Sequence, residues 1–294
     1  MLALLLYLTS YQMQFANEHP DLRRKYEELV ASQDRIGFFD QIWVQDTLHP
    51  KWQYLVNKRQ DPILRIPVTK KIGVRAFLQP LFLRSLPVFT SLSSEELDSL
   101  KAQWFLHLNL DSPQFKEESK NTGQYQLLQW TEGIAAIRAG YSENMKRNLK
   151  KSIGLHLHPI NYHQFQEFFI AQKGENIGNL NAAAWMRLAH LFATAQEKEQ
   201  AMSMGVFSGA DLLAVGLFFR FKEQLYFMKG TLNAQGKEKG ALVFLIDAVL
   251  ERFASECTSL DFVGSNQESI AVFYRKFGAE DHVYGIVKGR IPLF

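Results

Sequence analysis

The feature that most constrains this chain is a run of alternating element types near its C-terminal end. An apolar strand over residues 224–231 is followed by a polar, glycine-bearing loop over residues 232–239 and an apolar-faced helix over residues 240–256. A short strand over residues 259–263, a polar turn and a second helix complete the run. A strand, a loop and a helix in this order can direct the unpaired N–H groups of the helix N-terminus at a phosphate group.

The segment before this run predicts an antiparallel meander. Apolar strands over residues 201–207 and 212–221 are joined to each other and to the strand at residue 224 by short polar turns. The strand–helix–strand that follows allows one parallel pair. Residues 112–123 are polar and predict a loop. The expected fold class is α+β, with a mixed, mostly antiparallel sheet flanked by helices.

Length and composition are compatible with two domains of similar size. A chain of 294 residues allows two domains, divided here into residues 1–140 and 141–294. The net charge of +3 does not favour general nucleic-acid binding. The single cysteine, Cys257, excludes an intrachain disulfide and a cysteine-based zinc site.

The N-terminus and the apolar runs favour a soluble, cytoplasmic protein with no membrane partner. Residues 1–8 are apolar but lack the basic start of a signal peptide, so we expect a buried first strand there. No apolar run approaches the ~20 residues that a membrane-spanning helix needs. His156 and His158 alternate on one strand without an evident third ligand, so we expect no metal site.

The loop over residues 232–239, together with Gly240 at the start of the following helix, has properties that suit phosphate binding. Gly236 and Gly240 allow a close approach of the backbone, and Lys237 and Lys239 add positive charge. The loop matches neither the P-loop nor the dinucleotide-binding fingerprint. An ordinary connection between a strand and a helix therefore remains the alternative. The bases at residues 146–151 likewise allow either a solvated helix face or a patch that attracts an anionic substrate.

Two short motifs carry a resemblance to a known family. Residues 261–265 read Asp-Phe-Val-Gly-Ser, and residues 273–279 read Phe-Tyr-Arg-Lys-Phe-Gly-Ala. These motifs resemble the signature of the acyl-CoA N-acyltransferase superfamily, the Gcn5-related acetyltransferases, and most closely that of its Fem-type branch. The resemblance implies two acyltransferase-like domains in tandem, with the donor site in the second.

This resemblance implies a transferase that moves an acyl group from acyl-CoA, such as acetyl-CoA, to a small-molecule or peptide amine by direct attack. Tyr274 would be the general acid that protonates the leaving thiolate. Asp261 is a candidate general base, although Glu268 and His282 are equally suitable by residue type, and none is singled out by spacing. Asp261 has the alternative of tying down the adjacent turn, and Tyr274 that of a core aromatic residue.

The same resemblance implies a set of residues that contact the donor. The strand over residues 224–231 would lie beside the pantetheine arm, and the backbone N–H groups of residues 235–241 would hold the pyrophosphate. The implied contacts are Met228, Gly230, Gln235, Gly236, Lys237, Lys239, Gly240, Ala241, Ser265 and Asn266.

Departures from the family pattern keep two alternatives open. The pyrophosphate loop of the family is only approximated by residues 237–242, and Fem-type proteins include some that use aminoacyl-tRNA. One alternative is therefore aminoacyl transfer from charged tRNA to a cell-wall-type amine, although the chain lacks the roughly 50–60 charged, heptad-like residues of a helical arm. The other is a non-catalytic binding protein with a degenerate donor site.

Overall fold

A computed structural model describes residues 14–34, 36–118, 121–131, 133–174, 180–264 and 266–290. The expected first strand over residues 1–8 and the implied contact at Ser265 lie outside these residues. Internal contacts group the chain into two units, Met1–Gly123 with Val283–Phe294, and Gln124–His282. The boundary after residue 140 stays a prediction, because the two units describe packing and not the repeat of two related domains.

The first unit contains two sets of strands with short helices between them. Its elements are β1 (Gln14–Asn17), α1 (Pro20–Ala31), a 3-10 turn (Phe38–Asp40), α2 (Ile42–Leu48), β2 (Trp52–Val56), β3 (Pro62–Pro67), β4 (Thr69–Lys71), β5 (Val74–Leu78), β6 (Leu86–Pro87), α3 (Ser94–Lys101), β7 (Leu106–Asp111) and α4 (Pro113–Glu118). Strands β1, β2 and β3 form an antiparallel sheet. Helix α1 buries Leu22, Tyr26 and Val30, which form one apolar cluster with Tyr54 and Val56 of β2.

The second set of strands in this unit is organised around β7. Strand β5 pairs with β7 in parallel, and β4 pairs with β5 as an antiparallel hairpin. Residues 285–288 of the last strand, β14 (Glu280–Lys288), pair with the other edge of β7 in antiparallel orientation. The chain therefore returns at its C-terminal end to the unit in which it began.

The second unit contains the run that dominates the sequence. Its elements are β8 (Thr122–Gln129), α5 (Gly133–Ala139), α6 (Glu143–Lys151), β9 (His156–Pro159), α7 (Tyr162–Lys173), α8 (Ala182–Glu197), β10 (Ala201–Ser208), β11 (Asp211–Phe221), β12 (Gln224–Leu232), α9 (Ala234–Glu238), α10 (Ala241–Phe253), β13 (Ser259–Asp261) and α11 (Glu268–Arg275). The spatial order of its strands is β8-β13-β12-β11-β10-β9. The pair formed by β12 and β13 is parallel, and the remaining neighbours in this order pair in antiparallel orientation.

Helices cover both faces of this sheet. Helix α10 is apolar on most of its surface, because it packs between the sheet and α6, and it buries Leu245, Ile246 and Val249 completely. Helices α7 and α8 pack on the opposite face, where Phe165 and Leu188 are fully buried. The predicted class, a mixed and mostly antiparallel sheet flanked by helices, is confirmed.

Two predictions of loops were wrong in part. Residues 112–123 contain helix α4, which begins at Pro113, and the first residues of β8. Proline suits the first position of a helix, because its fixed φ is already helical. Residues 232–239 contain the five-residue helix α9, which is capped by the side chain of Asn233. Within the described part of the chain, no helix is long and apolar enough to cross a membrane.

Candidate active site

The pairing between strands β12 and β13 ends in the middle of the sheet. They are paired at Gln224, Leu225 and Tyr226 of β12, and β13 ends at Asp261, opposite Tyr226. Strand β12 continues to Leu232, and there its ladder is formed with β11. The ladder between the two strands thus ends at Tyr226 and Asp261, and we call the region beyond it, along the edge formed by residues 227–232 of β12, the opening. An extended ligand with amide groups can pair with such an edge.

A β-bulge in β12 lies directly at this opening. Phe227 is opposite Phe218 of β11, whereas Lys229 is opposite Leu217, so Met228 is the extra residue. A bulge bends its strand and increases the local twist. The bend therefore occurs where β12 separates from β13, and it brings the implied contact residue Met228 to the opening.

Tyr274 of α11 lies against the two strands where they separate. Its ring stacks on that of Phe262, which follows β13, at a centroid distance of 4.1 Å and an interplanar angle of 19°. It also meets the Phe227 ring of β12 edge-on at 6.3 Å. Burial raises the pKa of Tyr274 above its ordinary value. A phenol is protonated at neutral pH even without this shift, so Tyr274 carries the proton that a general acid donates.

Asp261 ends β13 and forms the turn that follows it. Its Oδ1 accepts a hydrogen bond of 2.7 Å from the N–H of Val263, and its side chain is buried. Val263 has a φ of 55°, which is a strained conformation for a β-branched residue. This contact corresponds to the turn-forming role that the sequence left open beside the role of general base.

Lys229 is a polar residue of the opening that sequence reasoning missed. A Cβ placed on Gly216 of β11 would touch Leu245 of α10, so Gly216 lies on the face that α10 covers. Successive residues of a strand point to opposite faces, so the next pair, Leu217 and Lys229, points to the other face, toward α7. Burial lowers the pKa of the Lys229 ammonium group. Thr231 shares that face, and its buried hydroxyl has no hydrogen-bond partner among the residues described. The sequence did contain a signal for this residue, because Lys229 is the charged residue within an otherwise mostly apolar strand.

The first half of the predicted pyrophosphate loop is folded as helix α9. The N–H of Gly236 donates a hydrogen bond of 2.7 Å to Asn233 Oδ1, and the N–H of Lys237 donates one of 3.0 Å to the Asn233 carbonyl oxygen. A Cβ placed on Gly236 would lie 2.4 Å from the carbonyl oxygen of Leu213. These two N–H groups are therefore used inside the chain, and Gly236 allows close packing of two backbone segments.

The second glycine of this loop begins α10 and lies against α6. Gly240 has a φ of 66°, and a Cβ on it would lie 2.7 Å from the carbonyl oxygen of Asn148. The neighbouring Lys239 donates a hydrogen bond of 2.8 Å from Nζ to Ser208 Oγ, whereas Lys237 is exposed. The cationic group left facing solvent in this loop is that of Lys237.

Replacing Gly240 by alanine is expected to destabilise the protein more than the same change at Gly209. Both glycines have a left-handed φ, 66° and 60°, which costs an alanine about 1–2 kcal/mol. A Cβ at Gly209 would meet nothing within 4 Å, whereas at Gly240 it would meet the Asn148 backbone at 2.7 Å. We expect Gly240→Ala to cost at least about 1 kcal/mol more, measured by urea denaturation. Equal losses would show that the loop moves away freely.

The remaining implied contacts lie at different places around the opening. The ring of Phe227 covers Gly230, since its Cζ would lie 2.4 Å from a Cβ placed there. Asn266 Oδ1 accepts a hydrogen bond from the N–H of Gln124, Gln235 is exposed, and Ala241 is fully buried. Among the described residues, no group of three or more His, Cys, Asp or Glu side chains is placed to hold a metal ion.

An ion pair that is buried on its carboxylate side joins α10 to α5. Arg138 of α5 donates to both carboxylate oxygens of Asp247, at 2.9 and 2.6 Å, and the Tyr141 hydroxyl donates to Oδ1 at 3.1 Å. The Asp247 residue is only 4% exposed, so its charge requires these partners. Sequence reasoning missed this contact, because its members are more than 100 residues apart.

Comparison with known proteins supports the fold through structure and not through sequence. No family model and no curated protein matches the sequence. Among solved structures, FemX matches with a TM-score of 0.60 at 8% identity over 93% of this chain and 96% of FemX. The chain has an acyl-CoA N-acyltransferase-like fold with a Fem-type neighbour. The predicted resemblance is thereby confirmed at the level of the fold.

Two further structures have similar coverage. A conserved protein of unknown function from Bacteroides thetaiotaomicron matches with a TM-score of 0.54 at 11% identity, over 94% of this chain and all of that one (100%). A tandem acetyltransferase of the Gcn5-related type from the clavulanic acid biosynthesis pathway has a TM-score of 0.49 at 12% identity, over 93% of this chain and 97% of that one.

Proposed function

We propose that this protein is an N-acyltransferase that transfers an acyl group from acyl-CoA to an amine by direct attack. The observation that carries the proposal is the separation of β12 from β13 at Tyr226 and Asp261, with Tyr274 packed against both strands. In this proposal the amide groups of a pantetheine arm pair with the edge of β12 along the opening. In the same proposal the phenol of Tyr274, whose ring packs against Phe262 and Phe227, protonates the thiolate of that arm.

The reaction needs one attack and two proton movements. The lone pair of the acceptor nitrogen attacks the thioester carbonyl carbon, a C–N bond forms, and the C–S bond breaks. The phenol of Tyr274 gives its proton to the leaving thiolate, and the acceptor nitrogen loses one proton to a base or to water. Asp261 is held by the turn at Val263, so we assign it to positioning.

We place the acceptor amine on the face of the sheet that carries Lys229 and Thr231. Lys229 faces α7, whereas Phe227, against which Tyr274 packs, faces α10. In this proposal the acceptor amine reaches the thioester from the Lys229 face through the opening. The buried Thr231 hydroxyl is an oxygen that can accept a hydrogen bond from a substrate N–H.

The loop over residues 232–239 uses part of its backbone N–H groups inside the chain. The N–H groups of Gly236 and Lys237 are bonded to Asn233, so the pyrophosphate would rely on the first turn of α10 and on the charge of Lys237. Gly240 brings this turn beside α6, whose last turns carry the exposed cations Arg147, Lys150 and Lys151. These cations provide an alternative source of attraction for phosphate groups.

The internal use of these N–H groups supports a second candidate, aminoacyl transfer from charged tRNA. A tRNA donor needs no dedicated pyrophosphate cradle, and its backbone is attracted by clustered cations such as those of α6. The two candidates share the opening and Tyr274, and they differ in the donor. Titration with charged tRNA in place of acetyl-CoA distinguishes them.

Acetyl-CoA is expected to raise the melting temperature of the full-length protein. A ligand that binds only the folded state stabilises it by about 2.7 kcal/mol at 100 times its Kd, which corresponds to several degrees for a chain of this size. The measurement is a thermal-shift titration with acetyl-CoA up to millimolar concentration. Absence of any shift at that concentration would contradict the acyl-CoA proposal and leave the tRNA candidate.

Two variants locate the binding site in the same titration. Lys237→Glu is expected to weaken the shift, because it reverses the charge beside the donor phosphates, while Lys222→Glu is its control. Lys222 is also exposed, but it precedes the first residue of β12, a strand length away from the loop. Lys229→Met is expected to keep the shift, because Lys229 faces the acceptor side. Loss of the thermal shift in Lys229→Met would place the donor on the α7 face instead.

A further inference from the structure

The hairpin that joins β4 to β5 ends in an exposed apolar tip. Ile72 is 73% exposed and has a φ of 52°, and the following Gly73 has a φ of 75°. A left-handed turn of this kind favours Asn or Gly, and a β-branched residue there is strained. Isoleucine therefore stands at a position where both its solvation and its backbone conformation are unfavourable, which is a reason to look for a function.

Other exposed apolar side chains lie beside this tip. Val74 and Trp104 are each 45% exposed. Strand β5 pairs with β7 beside them, with Phe77 opposite Leu106, and Lys71 Nζ lies 5.1 Å from the centre of the Phe105 ring. Ile72, Val74 and Trp104 consequently belong to one end of the first unit, and we call this area the hairpin surface.

The hairpin surface is surrounded by cations and contains no acid in its own segments. Three adjacent segments form it, namely residues 69–78, 99–107 and 286–290, and none of them contains Asp or Glu. Their cations are Lys70, Lys71, Arg75, Lys101, Lys288 and Arg290. The segments are joined directly, because Arg290 exchanges backbone hydrogen bonds with Gln103 and Phe105, and Lys288 pairs with His107.

The electrostatic effect of this arrangement is visible at His107. Burial and the charge of Lys288 both lower the pKa of His107. Burial is the larger of the two causes, and Lys288 is the cation that adds to it. The hairpin surface thus combines aliphatic and indole groups with the six cations of its three segments.

We propose that the hairpin surface docks the protein on an anionic lipid bilayer. A protruding aliphatic tip beside a Trp enters the interface between headgroups and acyl chains, and flanking cations are attracted to anionic headgroups. Nucleic acid would use the cations but would leave Ile72 and Val74 in water. The strained, 73% exposed Ile72 is accounted for when it is buried in lipid. This partner departs from the sequence-based expectation that no membrane is involved.

The test is sedimentation of the full-length protein with vesicles. We expect it to bind mixed phosphatidylcholine–phosphatidylglycerol vesicles and to bind pure phosphatidylcholine much more weakly. Ile72→Asn is expected to lower the partition coefficient roughly tenfold, because an isoleucine side chain no longer leaves water. Asn is favoured at a left-handed φ, so this variant keeps or improves the stability of the turn. Lys70→Gln with Lys71→Gln is expected to lower the coefficient roughly 30-fold.

A matched control is another exposed apolar residue outside the hairpin surface. Met186 of α8 is 67% exposed and lies in the second unit, so Met186→Gln is expected to leave vesicle binding unchanged. The proposal is overturned if the protein binds both vesicle types equally, if it binds neither, or if Ile72→Asn behaves like Met186→Gln. A concentration-dependent dimer that Ile72→Asn abolishes, without vesicle binding, would assign the surface to self-association instead.

Discussion

Replacing Arg65 by methionine is expected to lower the free energy of unfolding of the full chain by about 3 kcal/mol. Arg65 lies in β3, its side chain is fully buried, and its Nη2 contacts carboxylate oxygens of both Glu18 and Asp46. Nη1 donates to Gln45 at 3.3 Å, and the guanidinium lies 4.5 Å from the centre of the Trp52 ring. Methionine keeps much of the volume and removes the charge, so two partly buried carboxylates lose their central partner.

The matched control is Arg24→Met in α1. Arg24 pairs with Glu28 at 2.8 Å, but the two side chains are 61% and 62% exposed. An exposed pair of this kind contributes about 0.5 kcal/mol or less. Urea denaturation followed by Trp fluorescence measures both variants, since Trp52 lies beside Arg65. Similar midpoints for the two variants would mean that the buried cluster contributes no more than a surface pair.

The parts of the fold that the sequence predicts are those with long, regular patterns. The three strands before residue 232 and helix α10 carry uninterrupted apolar patterns bounded by polar turns. The motif around Tyr274 adds a family resemblance that periodicity alone does not provide. The structure agrees with these predictions because packing and local preference favour the same conformation in these segments.

The bulge at Met228 was not predictable from the same letters. Residues 225–228 read Leu-Tyr-Phe-Met, and this pattern is compatible with a regular strand. The extra residue exists only relative to β11, because the register changes between Leu217 and Phe218 of that strand. A bulge depends on the pairing of two strands, so neither strand alone specifies it. The direction of the Lys229 side chain depends on the bulge, so the sequence did not predict that direction either.

Gly236 and Gly240 illustrate a second limit of sequence reasoning. A glycine before a helix is suitable for a close approach of phosphate, and it is equally suitable for a close approach of another backbone segment. Only the neighbours decide, and here they are the carbonyl oxygens of Leu213 and Asn148. Residues 283–288 show the same limit on a larger scale, since their return to the first unit depends on pairing with β7.

Replacing Tyr274 by phenylalanine is expected to lower kcat/KM by about 100-fold or more while the melting temperature changes little. Loss of a general acid costs about 10²–10⁴ in rate. The ring remains, so its stacking on Phe262 at 4.1 Å and its edge contact with Phe227 are kept. The measurement is release of free thiol from acetyl-CoA, with the amine that reacts fastest in a screen of primary amines.

The control for this change is Tyr162→Phe. Tyr162 is also a tyrosine whose pKa is raised by burial, but its hydroxyl donates to the carbonyl oxygen of Trp185, between α7 and α8. We expect this variant to lose about 1 kcal/mol of stability and to keep its rate. Unchanged thiol release in Tyr274→Phe would remove Tyr274 from the chemistry and return it to the role of a core aromatic residue.

The pH dependence separates an acid from a merely structural tyrosine. Because burial raises the pKa of Tyr274, its protonated, proton-donating form persists above the ordinary phenol value of about 10. Activity that depends on this form decreases only when the pH rises through the raised pKa. We therefore expect kcat/KM of the wild type to show no loss from Tyr274 between neutral pH and about pH 10. Tyr274→Phe should lower kcat/KM over this whole pH range and abolish any decrease of kcat/KM at higher pH. If Tyr274 were only structural, the pH profile of the variant would have the same shape and the same height as that of the wild type.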